Sequence, residues 1–327
     1  MLDVSVRRAG DQLKVTAQLV SAGDSVLWSE AYNREMKDVF AVQEELARAI
    51  VGALRVQLGG AGGPLVRPGT SDLVAYDLYL KGRYSSSRMT PAEFGLAIGY
   101  FNQAIARDPA FAKAYAGLAD TYLMRAIFSN RPPQENLPHA RTAASRALAL
   151  DSTLAEAHVA LASVLFGFDW DWAAAEREFE RALTFDKDYA LGHFRYAIFL
   201  MNQARFDQAE AEFERARVLD PLLPSNINLA RLYFSTGRTE RAAALIREGL
   251  ALNPRQSFAH ELLGHTSLKL GKNDEALDAF RRAALLSGAQ DSAHLAYALA
   301  RTGRRAEAET VLRELVASSP AAVRAPG

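Results

Sequence analysis

The 327-residue chain contains no cysteine. That excludes a disulfide framework, a Cys-ligated zinc site, an iron–sulfur cluster and a thiol nucleophile. It leaves the compartment open, because a periplasmic protein can also lack cysteine. There is no net charge either: 38 Lys+Arg balance 38 Asp+Glu. This argues against a protein built to coat nucleic acid or an acidic membrane. No apolar run reaches the about 18 residues that a membrane span needs. The first residues alternate apolar and charged side chains, which is not the block pattern of a signal peptide. What is present is ordinary for a globular chain. With 49% hydrophobic and 23% charged residues, wholesale disorder is excluded. The length allows two domains, or one domain and a repeat array.

Glycine and proline are concentrated in one place. Gly59, Gly60, Gly62, Gly63, Pro64, Pro68 and Gly69 crowd together, and this reads as a linker. Before it the apolar period is two, then about 3.6. Val4 and Val6, then Leu13, Val15, Ala17 and Leu19, then Val26-Leu27-Trp28 continuing toward Tyr32, predict three short antiparallel strands. The turn sequences Ala9-Gly10-Asp11-Gln12 and Ala22-Gly23-Asp24 separate them. Met36, Phe40, Leu46, Ile50 and Leu54 mark one stripe of an amphipathic helix over roughly residues 36–57. So small a unit has a marginal core. The abrupt start of its first strand suggests a chain that begins inside a domain and leaves an exposed sheet edge, through which self-association is possible.

After the linker everything reads as helix, with an internal repeat. A small residue stands five positions before a breaker at Ala104–Pro109, Ala216–Pro221, Gly249–Pro254 and Ala283–Gly288. Ala147–Ser152, Ala182–Lys187 and Leu315–Pro320 fill the same slots. From Ser152 onward the spacings are 35, 34, 33, 34 and 32; the first step is 43, with an insertion around Ser129-Asn130-Arg131-Pro132-Pro133. Seven residues before each small slot lie Ala97, Ala140, Ala175, Ala209, Ala242, Ala276 and Ala308. Three before it lie Phe101, Ala144, Phe179, Phe213, Ile246, Phe280 and Leu312. In the preceding helix a large–small pair recurs: Leu118-Ala119, Leu161-Ala162, Tyr196-Ala197, Leu229-Ala230, Leu263-Gly264 and Leu295-Ala296. Small residues let two helices approach closely, and the large neighbour fills the remaining space.

This pattern resembles the tetratricopeptide repeat (TPR) family over roughly residues 72–320, with six good repeats and an irregular first one. In the first, the opening helix (Tyr76, Tyr79, Gly82) is expected to be followed by a Ser85-Ser86-Ser87 insertion. The third carries Asp169-Trp170-Asp171-Trp172 at its inter-helix turn. The N-terminal segments Ser5–Asp11, Ala17–Val20, Leu27–Glu30 and Asp38–Glu45 resemble the back half of a TolB-like α/β domain. In larger relatives such a tail follows a nucleotide cyclase, a protein kinase or a winged-helix DNA-binding domain. The expected fold is therefore mainly α: a right-handed TPR solenoid of six to seven helical hairpins behind three antiparallel strands and one helix. The expected boundaries are a partial α/β segment at 1–58, a linker at 59–71, the array at 72–320 and a disordered tail at 321–327.

A search for chemistry finds none. Gly59-Gly60-Ala61-Gly62-Gly63 has no following lysine–serine pair and no preceding buried strand, so it is not a phosphate loop. His158, His193 and His260 open the first helices of different repeats at equivalent places and read as packing residues. His260 and His265 are five apart, a poor chelating interval on a helix. Glu44-Glu45, Glu176 with Glu178, and Glu210 with Glu212 stand beside Arg177, Arg181 and Arg215 and read as solvated faces. No serine sits in a nucleophile elbow. Trp170 and Trp172 read as capping the enlarged turn. Arg301-Thr302-Gly303-Arg304-Arg305 is followed at once by Glu307 and Glu309 and makes a poor phosphate site. The expectation is a non-catalytic protein with no cofactor and no metal.

The TPR resemblance implies a concave face lined by the first helix of each repeat. Carried over by register, its residues are Asp120 and Met124; Phe194, Ile198, Met201 and Asn202; Arg231 and Phe234; Glu261, His265 and Lys269; Tyr297 and Arg301. An apolar centre between polar ends suits a peptide or protein partner. A TPR clamp on a peptide carboxylate needs Lys and Asn on consecutive first helices; here only Asn228 matches, against chaperone-tail binding. The implied role is a regulatory scaffold of a bacterial signalling protein, with no contact to nucleic acid or membrane. The alternative is the sensory tail of a class III adenylate or guanylate cyclase or of a winged-helix regulator. The expected location is cytoplasmic, or periplasmic behind an upstream membrane anchor.

Overall fold

The computed structural model describes residues 2–9, 11–20, 26–35, 45, 69–129, 132–221, 223–287 and 292–318. Its residues group into two compact units, Met1–Ser152 and Thr153–Gly327.

The first unit opens with strands β1 (Leu2–Ala9), β2 (Gln12–Val20) and β3 (Val26–Glu35) in an antiparallel sheet of order β1-β2-β3. Ala9 pairs with Gln12, where the sequence predicts the first turn. Val15 pairs with Tyr32. Both are buried, as is Ala17 two residues along the same face, whereas Val6 is exposed. The helix expected over 36–57 lies outside the described residues, apart from the helical Glu45. So do residues 59–68 of the expected linker and the expected tail at 321–327.

Four helices follow in this unit: α1 (Leu73–Ser87), α2 (Pro91–Arg107), α3 (Ala112–Phe128) and α4 (Leu137–Leu150). Each pair is a hairpin. Asp72 caps α1 by accepting from the Val74 and Ala75 N–H groups, and Thr90 caps α2 through Glu93 N–H. Phe101, fully buried on α2, lies between Gly82 of α1 and Gly117 of α3. A Cβ at either glycine would come within 2.8 Å and 2.6 Å of that ring, respectively. The Ser85-Ser86-Ser87 insertion expected in the first repeat is taken up as the last turn of α1. Ser85, Ser86 and Ser87 finish α1, with Ser85 buried, Ser86 Oγ accepting from Thr121 Oγ1 and Ser87 Oγ donating to the Tyr84 carbonyl. These bonds satisfy the hydroxyls locally, so three serines at a helix end need no loop.

The second unit holds ten described helices as five hairpins: α5 (Ala155–Val164) with α6 (Trp172–Phe185), α7 (Ala190–Asn202) with α8 (Phe206–Leu219), α9 (Ser225–Ser235) with α10 (Thr239–Leu252), α11 (Ser257–Lys269) with α12 (Asn273–Ser287), and α13 (Ser292–Arg301) with α14 (Arg305–Ser318). The repeated positions found in the sequence form its core. Ala182, Ala216 and Ala283 have no exposed surface; Phe179, Phe213, Ile246 and Phe280 are also buried. Each such large side chain contributes about 1.5–3 kcal/mol by leaving water. Leu312, in the equivalent slot of α14, is exposed because no described helix follows to cover it.

Hairpin turns place one residue in the left-handed region, where the last turn of a helix closes back on itself. Gly237, Gly271 and Gly303 do so at φ 83, 72 and 81°. Ala204 takes the same place at φ 56° and Trp170 at φ 58°. Before Trp170 the chain makes a wide π turn, Leu165–Asp169. Trp170 and Trp172 remain largely exposed, with ring centroids 6.4 Å apart.

Candidate partner-binding face

Asp120 and Met124 lie on α3 of the first unit, both half-buried. The other eleven residues of the predicted face lie on α7, α9, α11 and α13 of the second. These helices differ in what they show to solvent. Phe194 is turned inward: it is 9% exposed and meets Phe213 edge-on at 6.0 Å. Ile198, Met201 and Phe234 are half-buried and pack against the edge of the same core. Asn202 Nδ2 donates to the Ile198 carbonyl at 2.7 Å. Lys269 Nζ sits 4.9 Å from the centre of the Phe234 ring and 3.4 Å from the Phe234 carbonyl. This cation–π contact ties α11 to α9. At the far end, Arg301 donates to Tyr297 Oη at 3.1 Å, and both side chains are exposed.

Arg231 differs from every other charged member of the set. It is half-buried on α9, one turn before Phe234. Among the described residues no carboxylate pairs with it. Burial holds its guanidinium below the ordinary arginine range. A desolvated cation without a counter-ion is unfavourable, and an incoming anion would relieve it.

Of the carboxylates read as solvated from sequence, Glu176, Glu178, Glu210 and Glu212 are in fact structural, while Glu45 is exposed. Glu178 accepts from His158 Nδ1 at 2.6 Å and Arg181 Nη1 at 2.7 Å. Glu212 lies 2.5 Å from His193 Nδ1, while His193 Nε2 faces the Lys187 carbonyl at 2.9 Å. Glu210 accepts from Tyr233 Oη and Arg238 Nη1, each at 2.6 Å. Glu176 holds Arg205 and Tyr196 in the corresponding way. Burial raises the Glu210 carboxyl, but the Tyr233 and Arg238 bonds outweigh it and hold it low. Burial is also the largest reason the Tyr196 and Tyr233 hydroxyls are pushed up to about 12. The periodic sequence signal shows these carboxylates on helix faces. It does not show that the facing helix supplies a histidine or tyrosine at the same height.

A further group escapes the sequence because it spans two repeats. Glu261 and His265 share one face of α11, and His294 of α13 joins them. One carboxylate oxygen of Glu261 is 3.8 Å from His265 Nε2 and 3.6 Å from His294 Nδ1. The visible clue is the four-residue interval from Glu261 to His265, whereas the His260–His265 interval points elsewhere.

Paired helices recurring at this spacing, each second-helix aromatic seated against a small residue of the first, define a helical-hairpin repeat protein. More particularly, the fold is TPR-like. Residues 197–283 match the family described as anaphase-promoting complex, cyclosome, subunit 3. A Rhizobium meliloti (strain 1021) protein assigned by name as adenylate cyclase 3 is 33% identical over 168 residues, 50% of this chain. The chain spans only 29% of that relative's length. Among solved structures, Pseudomonas aeruginosa PilF aligns at 25% identity and TM-score 0.52, over 65% of this chain and 95% of its own. The Cut9–Hcn1 hetero-tetramer of the anaphase-promoting complex aligns at 18% identity and TM-score 0.59, over 87% of this chain and 52% of that one; this shows the fold alone. Proteins of this fold generally mediate protein–protein interactions and are typically non-catalytic scaffolds. No helix among the described residues is long and apolar enough to cross a membrane.

Proposed function

We propose that the chain is a non-catalytic interaction module that binds a peptide or protein partner along the first helices of its second unit. Ile198, Met201 and Phe234 form the apolar floor, and Arg231 takes an acidic group of the partner. Glu261, His265 and Lys269 flank that centre, with Tyr297 and Arg301 beyond them. Asp120 and Met124 occupy the equivalent face of the first unit. The observation that carries this reading is Arg231, a half-buried cation with no counter-ion among the described residues. Phe194 supports the floor from beneath.

The test is selection of a random displayed-peptide library on the full chain. Enriched peptides should share an Asp, Glu or free C-terminal carboxylate beside apolar residues. Arg231→Gln and Phe234→Ser should each weaken an enriched peptide about tenfold or more, as central interface residues do, with the helical circular-dichroism signal retained. Failure to enrich any peptide, or equal binding by both variants, overturns the reading.

The similarity to a cyclase-named protein favours a second, compatible reading, in which this module regulates an enzyme carried by the same polypeptide. Within that reading the strands β1–β3 belong to a TolB-like segment divided from the repeats at residues 59–71. The outer edge of β1 then offers a route to self-association. An endogenous product much heavier than 35.7 kDa supports this arrangement, and one of that mass counts against it.

A further inference from the structure

We propose that Glu261, His265 and His294 form a binding site for one zinc ion that links the first helices of two successive repeats. Their ligand atoms, one per residue, all lie within 4.8 Å of one another. The closest separations are 3.6 Å and 3.8 Å, both to the same carboxylate oxygen. Tetrahedral zinc with bonds of about 2.0–2.1 Å needs its ligand atoms roughly 3.3 Å apart. Binding would draw in ligand atoms that now lie up to 4.8 Å apart, by side-chain rotation.

Phe280 organises the rings. His265 meets it edge-on at 4.9 Å, and His294 stacks on it at 6.2 Å with planes 28° apart. Phe280 reaches this place because Gly264 leaves it room: a Cβ there would stand 2.6 Å from the ring. The two imidazoles are then 5.1 Å apart and nearly perpendicular. His294 Nδ1 is buried and makes no hydrogen bond, although the Glu261 carboxylate lies 3.6 Å away.

Two imidazoles and one carboxylate favour zinc or a similar transition ion over magnesium or calcium, which prefer oxygen alone. Three protein ligands leave a fourth position for water. The site shares Glu261 and His265 with the proposed partner face, but its readout is metal affinity and not capture of a peptide, so the two proposals fail separately.

The experiment uses untagged, chelator-stripped full-length protein titrated with zinc chloride by calorimetry, with cobalt(II) as a spectroscopic probe. One ion should bind per chain, and cobalt should give the intense visible bands of a tetrahedral site. His265→Gln and His294→Gln should each weaken zinc binding at least about tenfold. Glu261→Gln should weaken it as well, and the exposed His139→Gln should leave it unchanged. Circular dichroism checks that each variant keeps its helices. Absence of saturable binding by the wild type, or equal affinity in the His265→Gln/His294→Gln double variant, overturns the proposal.

Discussion

Gly264→Ala tests the packing at the centre of the α11–α12 hairpin. Five other repeats carry alanine in this slot: Ala119, Ala162, Ala197, Ala230 and Ala296. By sequence alone the change looks harmless, and helix propensity favours it by about 0.8–1.0 kcal/mol. The structure opposes it. The added methyl would lie 2.6, 2.7 and 2.7 Å from Cζ, Cε1 and Cε2 of Phe280. That ring is fully buried and wedged against His265 and His294, so it has little freedom to retreat. Overpacking of this kind costs about 1–3 kcal/mol. The net expectation is a loss of up to about 2 kcal/mol once the propensity gain is subtracted. A loss of about 1 kcal/mol raises the opening equilibrium roughly fivefold. Repeat arrays open locally, so the assay is native-state hydrogen exchange resolved to the amides of α11 and α12. Gly95→Ala in α2 is the control: no atom lies within 4 Å of its would-be Cβ, and its helix should gain nearly the full propensity term. If Gly264→Ala raises protection as much as Gly95→Ala does, Phe280 is not wedged and the packing argument fails.

Three further outcomes follow from named contacts. Both ring nitrogens of His193 face acceptors, so the ring is held as the imidazolium: burial pushes its pKa down, but Glu212 and the Lys187 carbonyl outweigh this and raise it. Its stabilisation is therefore full below the unfolded value near about 6.5 and lost as pH rises through the higher folded value; Glu212→Gln should flatten that part of a urea-stability profile, and an unchanged profile refutes the pairing. Ala204→Gly should stabilise the α7–α8 hairpin by about 1 kcal/mol, because alanine holds a left-handed turn that glycine takes in three other hairpins; a lower urea midpoint would contradict this. Ala279→Glu should place a carboxylate beside the buried, unbonded Nδ1 of His260, as Glu178 and Glu212 stand beside His158 and His193; a downfield ring N–H proton resonance from His260 should appear, and its absence refutes the alignment.

The repeat was legible because its determinants are local and periodic. Alanine at the close helix crossings and an aromatic three residues earlier recur at fixed intervals, and both became buried as expected at Ala216 with Phe213 and at Ala283 with Phe280. The sheet was legible for the same reason, through alternation over Leu13–Leu19 and the turn at Gly10-Asp11. The serine insertion of the first repeat was legible as extra length, but not that it continues α1, with bonds to the Tyr84 carbonyl and Thr121 satisfying the hydroxyls. The expected partner face rested on register alone. Register could not show that Phe194 turns into the core while Arg231 stays half-buried with no carboxylate partner among the described residues.

The features that were hidden share one physical cause: they are contacts between residues of facing helices. His158 and Glu178 are 20 residues apart, and His193 and Glu212 are 19 apart. In each case the histidine stands three residues before the large position of the first helix, and the glutamate immediately precedes the aromatic of the second. The same arithmetic from His260 arrives at Ala279, which explains why that ring alone of the three has an unbonded nitrogen. Extended to the next repeat, it shows which residue the second-helix aromatic meets. Phe101 meets Gly117 there, and Phe280 meets His294. Where that position is glycine, only the ring fills the space. Where it is histidine, a titratable nitrogen is delivered beside His265 and Glu261, and a packing rule of the repeat becomes a set of metal-ligating groups.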